Sequence, residues 1–253
     1  MMLSLQTRSS FFPLVFSQFK PYSSPFKFKP YSPPFKFKPR FSTITMSSSQ
    51  RLVEHIVLVK VKDGTEPSKV NDMVNAMNSL ASIDGVLYLT AGPLLRSRPT
   101  AAFTHLLHSR YNSKDHLDAY NVHPTHLAAV TSFLFPICDD LMVIDWVTGK
   151  TTLKTPATGS SLRVRFLKLK GEGGDDQEEV KDKVLSVVRG MEEDAGEFSC
   201  GENISPERAK GFSIASLAVF PGQKEVESVD MEEGLVKVVE DVEDVVVVDY
   251  VLP

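Results

Sequence analysis

Cysteine and long apolar runs are scarce in this chain. Only two of the 253 residues are cysteines, Cys138 and Cys200, and their separation matches no metal-binding or redox motif. We interpret them as unpaired thiols of an intracellular protein. No uninterrupted apolar run approaches the roughly eighteen residues that a membrane-spanning helix requires, so we expect no membrane span.

Acidic side chains are missing from residues 1–50, which carry seven lysines or arginines. The rest of the chain then holds 21 basic and 32 acidic residues, an excess of negative charge that argues against nucleic-acid binding. Residues 1–50 also contain seven of the sixteen prolines, and serine is abundant there. A segment so rich in proline cannot sustain a helix or a sheet interior, so we expect a disordered transit peptide over 1–50.

The basic charge of this segment is not arranged as an amphipathic, arginine-rich helix, which favours a chloroplast over a mitochondrion. Three alternatives stay open. The segment could be a tail that is never removed, or Met46 could start a cytosolic form. A peroxisomal location is the third, although Val251-Leu252-Pro253 lacks a signal of the Ser-Lys-Leu type.

Two related segments follow residue 50. Residues 55–62 match residues 163–170 at an offset of 108, and both alternate as strands do and end in Lys-x-Lys. Residues 143–147 match residues 247–251 at an offset of 104. We therefore predict a first domain at 51–148, a linker at 149–161 and a shortened second domain at 162–253.

Each copy is predicted to run strand, helix, strand, strand, helix, strand, which is the ferredoxin-like order. Proline at the first turn opens the first helix, and Ser113 caps the second. The Gly/Pro/Arg-containing stretch 92–100 is interpreted as a loop. In the first copy the predicted strands are 53–61, 86–91, 101–110 and 141–146. The predicted helices are 67–81, a helix after Ser113 whose apolar residues are Leu117 and Tyr120, and 124–134.

Strand one alternates so that His55 and Val57 lie on one side and Ile56 and Leu58 on the other, and both faces need cover. Helices cover only one face of a ferredoxin-like sheet. Two copies packed sheet to sheet would bury the remaining faces together. The fold class is therefore α+β, with two ferredoxin-like halves forming an intrachain dimeric α/β barrel; a homodimer of this fused barrel is a further candidate.

The segment Tyr120-Asn-Val-His123-Pro124-Thr-His126 concentrates polar chemistry. With Pro124 as the first helical residue, His126 lies at the positive end of a helix dipole, which should lower its pKa. A neutral imidazole can accept a proton from a carbon acid while the Tyr120 phenol donates to the resulting enolate oxygen. The alternative is structural: His123 can cap the helix and Tyr120 can bury its ring.

Four motifs follow one another over residues 51–148: His55-Ile-Val-Leu-Val-Lys-Val-Lys-Asp-Gly64, Phe103-Thr-His105, the Tyr120–His126 segment and Val143-Ile-Asp-Trp146. In this order they resemble the plant stress-response A/B barrel family. It implies stress-induced or defence-related proteins built as α/β barrels. One relative is a cofactor-free cyclase that closes a polyketide ring by aldol chemistry, and its catalytic Tyr and His correspond to Tyr120 and His126.

The resemblance also assigns ligand contacts, and we expect His55, His123 and His105 to line the site. It implies no required cofactor. Some family members hold a structural magnesium ion through backbone carbonyls, and the matching positions are Asn78, Ala81 and Asp84.

His105 and His108 should point to opposite faces of a strand, which argues against a shared metal. Zinc at His55, His123 and His126 is a weaker alternative, because no carboxylate or thiolate is tied to them by sequence.

The second copy departs from this pattern, because Arg163 replaces His55 and the Tyr-x-x-His-Pro-x-His segment is absent. A pocket of this kind is therefore expected once per chain. Arg163 and Arg165, if they face the barrel, need acidic partners or an anionic ligand.

Two functions stay open: a stress-response barrel protein that binds a small apolar molecule, and a cyclase or lyase that uses Tyr120 and His126. A cavity reaching both side chains would favour the enzyme, and a filled barrel core would favour the binding protein. A monooxygenase of related fold has no distinctive residue signal here.

Overall fold

The computed structural model describes residues 51–99, 103–149, 153–171, 177–190, 197–230, 235 and 240–253. The predicted transit peptide and part of the predicted linker lie outside these ranges. No helix in the described ranges combines the length and hydropathy needed to cross a bilayer.

The first half forms a four-stranded antiparallel sheet that packs against helices. The strands are β1 Val53–Val61, β2 Val86–Pro93, β4 His105–Tyr111 and β5 Cys138–Val147, and the helices are α1 Pro67–Ser79, α2 Lys114–Asn121 and α3 Pro124–Ala129. The strand order is β2-β4-β1-β5. Helices α1 and α2 each occupy a crossover between strands, and α3 follows α2 directly, which gives the predicted ferredoxin-like order. Short 3-10 turns follow α1 and precede β5, and a π turn extends α3.

The second half repeats this arrangement. Its elements are β6 Ser161–Leu169, α4 Gln177–Arg189, β7 Glu197–Glu202, β8 Ile214–Phe220, α5 Gln223–Ser228 and β9 Val242–Val251, with β3 at Arg96–Arg98. The sheet has five strands in the order β3-β9-β6-β8-β7. Helix α4 is as long as α1, with 13 residues, whereas α5 has six residues against eight in α2.

Strand β3 corrects the interpretation of 92–100 as a loop. It belongs to the first half in sequence, yet Arg96 pairs with Asp249 and Ser97 with Val248 on β9 of the second half. At the opposite seam, Trp146 on β5 forms a single bridge with Asn203. The two sheets are thus joined at both edges, and the expected intrachain barrel of two ferredoxin-like halves is confirmed.

Two equivalent glycines permit this closure. A Cβ atom on Gly201 would lie 2.9 Å from the Trp146 ring, and one on Gly92 would lie 3.1 Å from the Tyr250 ring. Each glycine belongs to one half and each aromatic ring to the other. A larger residue would therefore push the sheets apart where they meet.

The barrel interior is filled by side chains from both sheets. Alternation sends Ile56 and Leu58 of β1 into this core together with Leu162, Val164 and Phe166 of β6. The opposite faces pack against helices in two separate clusters, one per half. The same alternation turns Arg163 and Arg165 away from the barrel and towards the helices, so the conditional prediction of barrel-facing arginines does not apply.

Candidate functional site

The helix break at Pro124 positions the polar segment. Helix α2 ends at Asn121, and His123 becomes the N-cap of α3 in an extended conformation, as expected before a proline. The Nδ1 atom of His123 accepts a hydrogen bond of 3.2 Å from the backbone N–H of Thr125. His123 therefore has the capping role that was one of its two predicted uses.

His126 is held in one tautomer by the chain that precedes α3. Its Nδ1 atom lies 3.1 Å from the carbonyl oxygen of Asn121, which only accepts, so Nδ1 carries the proton and Nε2 keeps its lone pair. The ring centroids of His126 and Tyr120 are 4.5 Å apart. Burial, together with positive charge on neighbouring groups, lowers the pKa of His126 to about 4. The direction agrees with the sequence argument, but burial rather than the helix dipole is the main cause.

A second imidazole enters the same cluster from the sheet. His55 on β1 faces the helices, and its ring lies 6.1 Å from that of Tyr120 and 6.2 Å from that of Tyr111 in edge-on contacts. Its Nδ1 atom lies 2.5 Å from the Asp145 carboxylate on the neighbouring strand. Both side chains are almost completely buried. The cluster of His55, Tyr111, Tyr120, His126 and Asp145 is called the aromatic cluster below.

Two members of the aromatic cluster, Asp145 and Tyr111, were not predicted as site residues. Asp145 interrupts an apolar strand and pairs in register with His55, so alternation along β1 and β5 could have revealed it. Burial tends to raise the pKa of Asp145, but His55, Ser205 and Arg208 outweigh it and lower this pKa below its usual range. Burial raises the pKa of Tyr111 and of Tyr120. At neutral pH the aromatic cluster thus presents a carboxylate, protonated phenols and a neutral His126.

His105 lies away from the aromatic cluster. It pairs with Val59, whereas Ser109, four residues further along β4, pairs with His55. At about 3.4 Å per residue this separates the two histidines by roughly 14 Å along the strand direction. The Nδ1 atom of His105 instead lies 2.9 Å from the Thr104 hydroxyl. The structure therefore does not bring His105 to the predicted ligand site.

The predicted magnesium positions follow α1. The Asn78 amide is used by β2, because its Oδ1 atom accepts from the N–H of Ala91 and its Nδ2 atom donates to the Ala91 carbonyl, both at 2.9 Å. Ala81 and Asp84 are exposed in the following turn. The described residues contain no group of three or more His, Cys, Asp or Glu side chains arranged for a metal ion. A magnesium ion bound through backbone carbonyls stays a prediction.

A separate ionic cluster lies on the barrel face of the first sheet and was not predicted. Glu54 accepts hydrogen bonds from His108 Nε2 at 2.6 Å and from Arg110 Nε at 2.9 Å, and all three side chains are buried. Burial lowers the pKa of His108. Among the described residues, His108 Nδ1, Arg110 Nη2 and the Tyr88 hydroxyl are buried without a hydrogen-bond partner. Glu54, Tyr88, His108 and Arg110 are called the barrel cluster below.

Two of the clefts formed by the described residues lie on the helix side. One, of about 480 Å³, lies between α1 and α3 and is lined by Asp72, Asn75, Ala76, Ser79, Thr125, Ala128, Ala129, Ser132 and Phe133. The other, of about 560 Å³, lies between α1, β2 and the C-terminal strand, and its lining includes Asn78, Leu95 and Tyr250. Neither lining includes Tyr120 or His126, while the barrel core is filled.

Fold and site together define a fused α/β barrel with one aromatic cluster in its first half. A family model described as the stress responsive A/B barrel domain matches residues 53–148 and again residues 162–252. The chain belongs to this family and carries two copies of its domain. The resemblance seen in the sequence is thereby confirmed, for the second copy as well as the first.

Individual relatives agree with this assignment. The chain is similar to one stress-response A/B barrel domain-containing protein of Arabidopsis thaliana, with 41% identity over 223 residues that cover 84% of each protein. It is 38% identical to a second stress-response A/B barrel domain-containing protein of the same plant over 208 residues, covering 80% of this chain and 97% of the relative. A putative monooxygenase from Fusobacterium nucleatum superposes with a TM-score of 0.56 at 13% identity, covering 80% and 93% of the two chains. This last likeness shows the fold alone.

Proposed function

We propose that this stress-response barrel protein binds a small, largely apolar molecule in the cleft between α1 and α3. The observation that carries the proposal is the cleft itself, whose volume of about 480 Å³ falls within the usual range for small-molecule sites. Small side chains, Ala76, Ala128 and Ala129, leave this space open. The Phe133 ring at its edge remains 43% exposed, as does Leu127 on α3.

The cleft also offers polar groups that could orient a ligand. Asn75, Ser79 and Thr125 line it beside the alanines. Helix α3 separates the cleft from the aromatic cluster, since it carries Ala128 on one side and His126, packed on Tyr120, on the other. A ligand in the cleft would therefore contact α3, the helix that also carries His126.

The test is to fill the cleft. Ala128→Leu should reduce the binding of 8-anilinonaphthalene-1-sulfonate and of a panel of small phenols and aromatic ketones, measured by fluorescence and thermal shift. Ala119→Leu, an exposed position on α2 in the same half, is the matched control and should bind like the parent. Equal binding by both variants and the parent would refute this location.

A second candidate is a cofactor-free lyase or cyclase of aldol type, and His126 favours it. The imidazole is neutral at physiological pH, its tautomer is fixed by Asn121, and its ring contacts the Tyr120 phenol. Nε2 could accept a proton from a carbon acid, and Tyr120 could donate to the enolate oxygen formed. His126→Ala and Tyr120→Phe should each abolish turnover in a screen of polyketide-like substrates. Unchanged turnover in both would exclude this chemistry.

The chloroplast location remains a proposal that rests on the basic, acid-free composition of residues 1–50. We expect a fluorescent protein that carries residues 1–50 to enter plastids. A fusion that begins at Met46 should stay in the cytosol. Cytosolic fluorescence from both fusions would refute plastid import.

A further inference from the structure

Each half reaches across the barrel seam to an aspartate of the other half. The backbone N–H of Leu95 donates to the Asp249 carbonyl, and that of Ile204 donates to the Asp145 carbonyl, both at 2.8 Å. Leu95 and Ile204 are 109 positions apart, and the two aspartates are 104 apart, as expected for equivalent positions in the two copies. We call residues 94–96 the first strap and residues 203–208 the second strap.

The straps share their backbone contacts but differ in side chains. Arg96 of the first strap binds Asp249, which also receives Arg163 at 2.8 and 3.1 Å. Two guanidinium groups thus neutralise this carboxylate. Arg96 and Arg163 also donate to the same carbonyl oxygen of Val226, each at 2.7 Å, which fixes both groups.

The second strap places different groups on Asp145. Its Oδ1 atom receives His55, while its Oδ2 atom accepts from the Ser205 hydroxyl and lies 3.4 Å from Arg208, whose side chain is 44% exposed. The Asn203 side-chain oxygen ties the strap to the strand, because it accepts from the N–H of Asp145 at 3.2 Å and of Ser205 at 3.0 Å. In the position of Arg96, 109 residues further on, the second strap has the hydroxyl of Ser205.

We propose that Ser205 and Arg208 of the second half are positioning residues that complete the His55–Asp145 pair of the first half. Asp145 is fully buried, and a buried carboxylate stays ionised and oriented only if its oxygens are hydrogen-bonded. By occupying Oδ2, Ser205 and Arg208 direct Oδ1 to His55 Nδ1. Because a carboxylate oxygen only accepts, His55 Nδ1 is then fixed as the donor, with its proton directed at Oδ1.

The second half is therefore more than a partner that covers the first sheet. It supplies the groups that set the protonation geometry of an imidazole in edge-on contact with Tyr120 and Tyr111. The consequence for catalysis rests on the acid–base function proposed above. The positioning itself does not, since it concerns the tautomer of His55 and can be observed without a substrate.

The test uses the full chain labelled with 15N-histidine, in which long-range 1H–15N spectra report the tautomer of each imidazole. Ser205→Ala should replace the single Nδ1–H pattern of His55 with a mixed pattern, and Arg208→Gln should give a smaller change in the same direction. Ser205→Thr, which keeps the hydroxyl, should restore the parent pattern. Arg96→Gln, in the equivalent position of the first strap, is the matched control and should leave His55 unchanged.

An unchanged His55 pattern in folded Ser205→Ala would overturn the proposal. If Ser205→Ala does not fold, Arg208→Gln decides, because its partly exposed side chain can be replaced with little structural cost. An equal change caused by Arg96→Gln would also overturn it, since any loosened seam would then disturb His55. Failure of the catalytic proposal is a separate result. It would be seen as no turnover by the parent protein, or as equal turnover by the parent and His126→Ala, and it does not depend on the tautomer of His55.

Discussion

The two halves share one backbone register and differ in what they bury. Glu54 pairs with Arg110 across β1 and β4, and the equivalent pair across β6 and β8 is Leu162 with Val219. His108 likewise corresponds to Leu217. The second half shows that this fold is satisfied by apolar side chains at these positions. The barrel cluster is therefore a property of the first half and not a requirement of the architecture.

The two halves also differ on the sheet faces that pack against helices. Where the first half packs His55 among aromatic rings, the second half places Arg163, which donates to the carbonyls of Val226, Val229 and Asp230 as well as to Asp249. Helix α5 spans Gln223–Ser228, and the guanidinium group of Arg163 donates to the carbonyl oxygen of Val226 within it. On the helix side, the first half thus carries a histidine paired with Asp145, and the second half carries an arginine in a fixed ion pair with Asp249.

Breaking the fixed pair in the second half should have one of the two largest effects on stability. Arg163→Met leaves the buried Asp249 with Arg96 alone, and we expect a loss of about 3–5 kcal/mol in the free energy of unfolding, measured in urea. Lys183→Met, which breaks the ion pair of an exposed lysine with Asp241, should change the free energy of unfolding far less. Similar losses in both variants would contradict the importance assigned to Arg163.

Converting the barrel cluster to its counterpart in the second half tests the comparison directly. Glu54→Leu alone should cost about 3–5 kcal/mol, because Arg110 is left buried without its carboxylate. The triple change Glu54→Leu, His108→Leu and Arg110→Val should recover this loss and end near the parent stability or above it. Urea unfolding measures both variants. A triple variant less stable than the single one would show that the two interiors are not interchangeable.

The seam glycines should respond unequally. Gly201→Ala places a methyl group 2.9 Å from the Trp146 ring and 3.0 Å from the Val147 carbonyl, and should cost about 1–3 kcal/mol. Gly92→Ala places its methyl group 3.1 Å from the ring and the hydroxyl oxygen of Tyr250, a less close approach, and should cost less. Thermal unfolding compares the two with Gly149→Ala, whose added methyl group has no neighbour within 4 Å. A greater loss of stability in Gly92→Ala than in Gly201→Ala would contradict the placement of the tighter contact at Gly201.

The smallest expected effect concerns pH. The pKa of His126 is lowered to about 4 in the folded chain from an ordinary value of 6.5, so the unfolded chain binds a proton more readily between these values. The folded chain should therefore lose stability as the pH falls from about 6.5 to about 4. His126→Asn should lose less over this range than the parent, by urea midpoints at pH 7 and pH 5. The exposed His116→Asn control should follow the parent, and a parent-like slope in His126→Asn would contradict this cause.

Local signals in the sequence predicted much of the fold. Alternation predicted β1 with the bounds that it has, Pro67 marked the first residue of α1, and Pro124 marked the start of α3. Strand β3 was missed because three residues form a strand only through a partner some 150 positions away. The π turn after α3 likewise carries no clear local signal.

The site was less accessible to prediction. The contact between Tyr120 and His126 follows from the helix break at Pro124, which the sequence predicts. The contact between Asp145 and His55 depends instead on strand register. His105 was placed at the site from a family motif, but its position along β4 separates it from His55. The straps could not be foreseen, because they depend on how two sheets close upon each other.

The central claim is that one half of this fused barrel keeps a ligand site and the other does not. Titration of the full chain with 8-anilinonaphthalene-1-sulfonate, followed by calorimetry, tests it most directly. We expect one binding site per chain, lost in Ala128→Leu. Two equivalent sites per chain, or a single site that persists in this variant, would contradict the account.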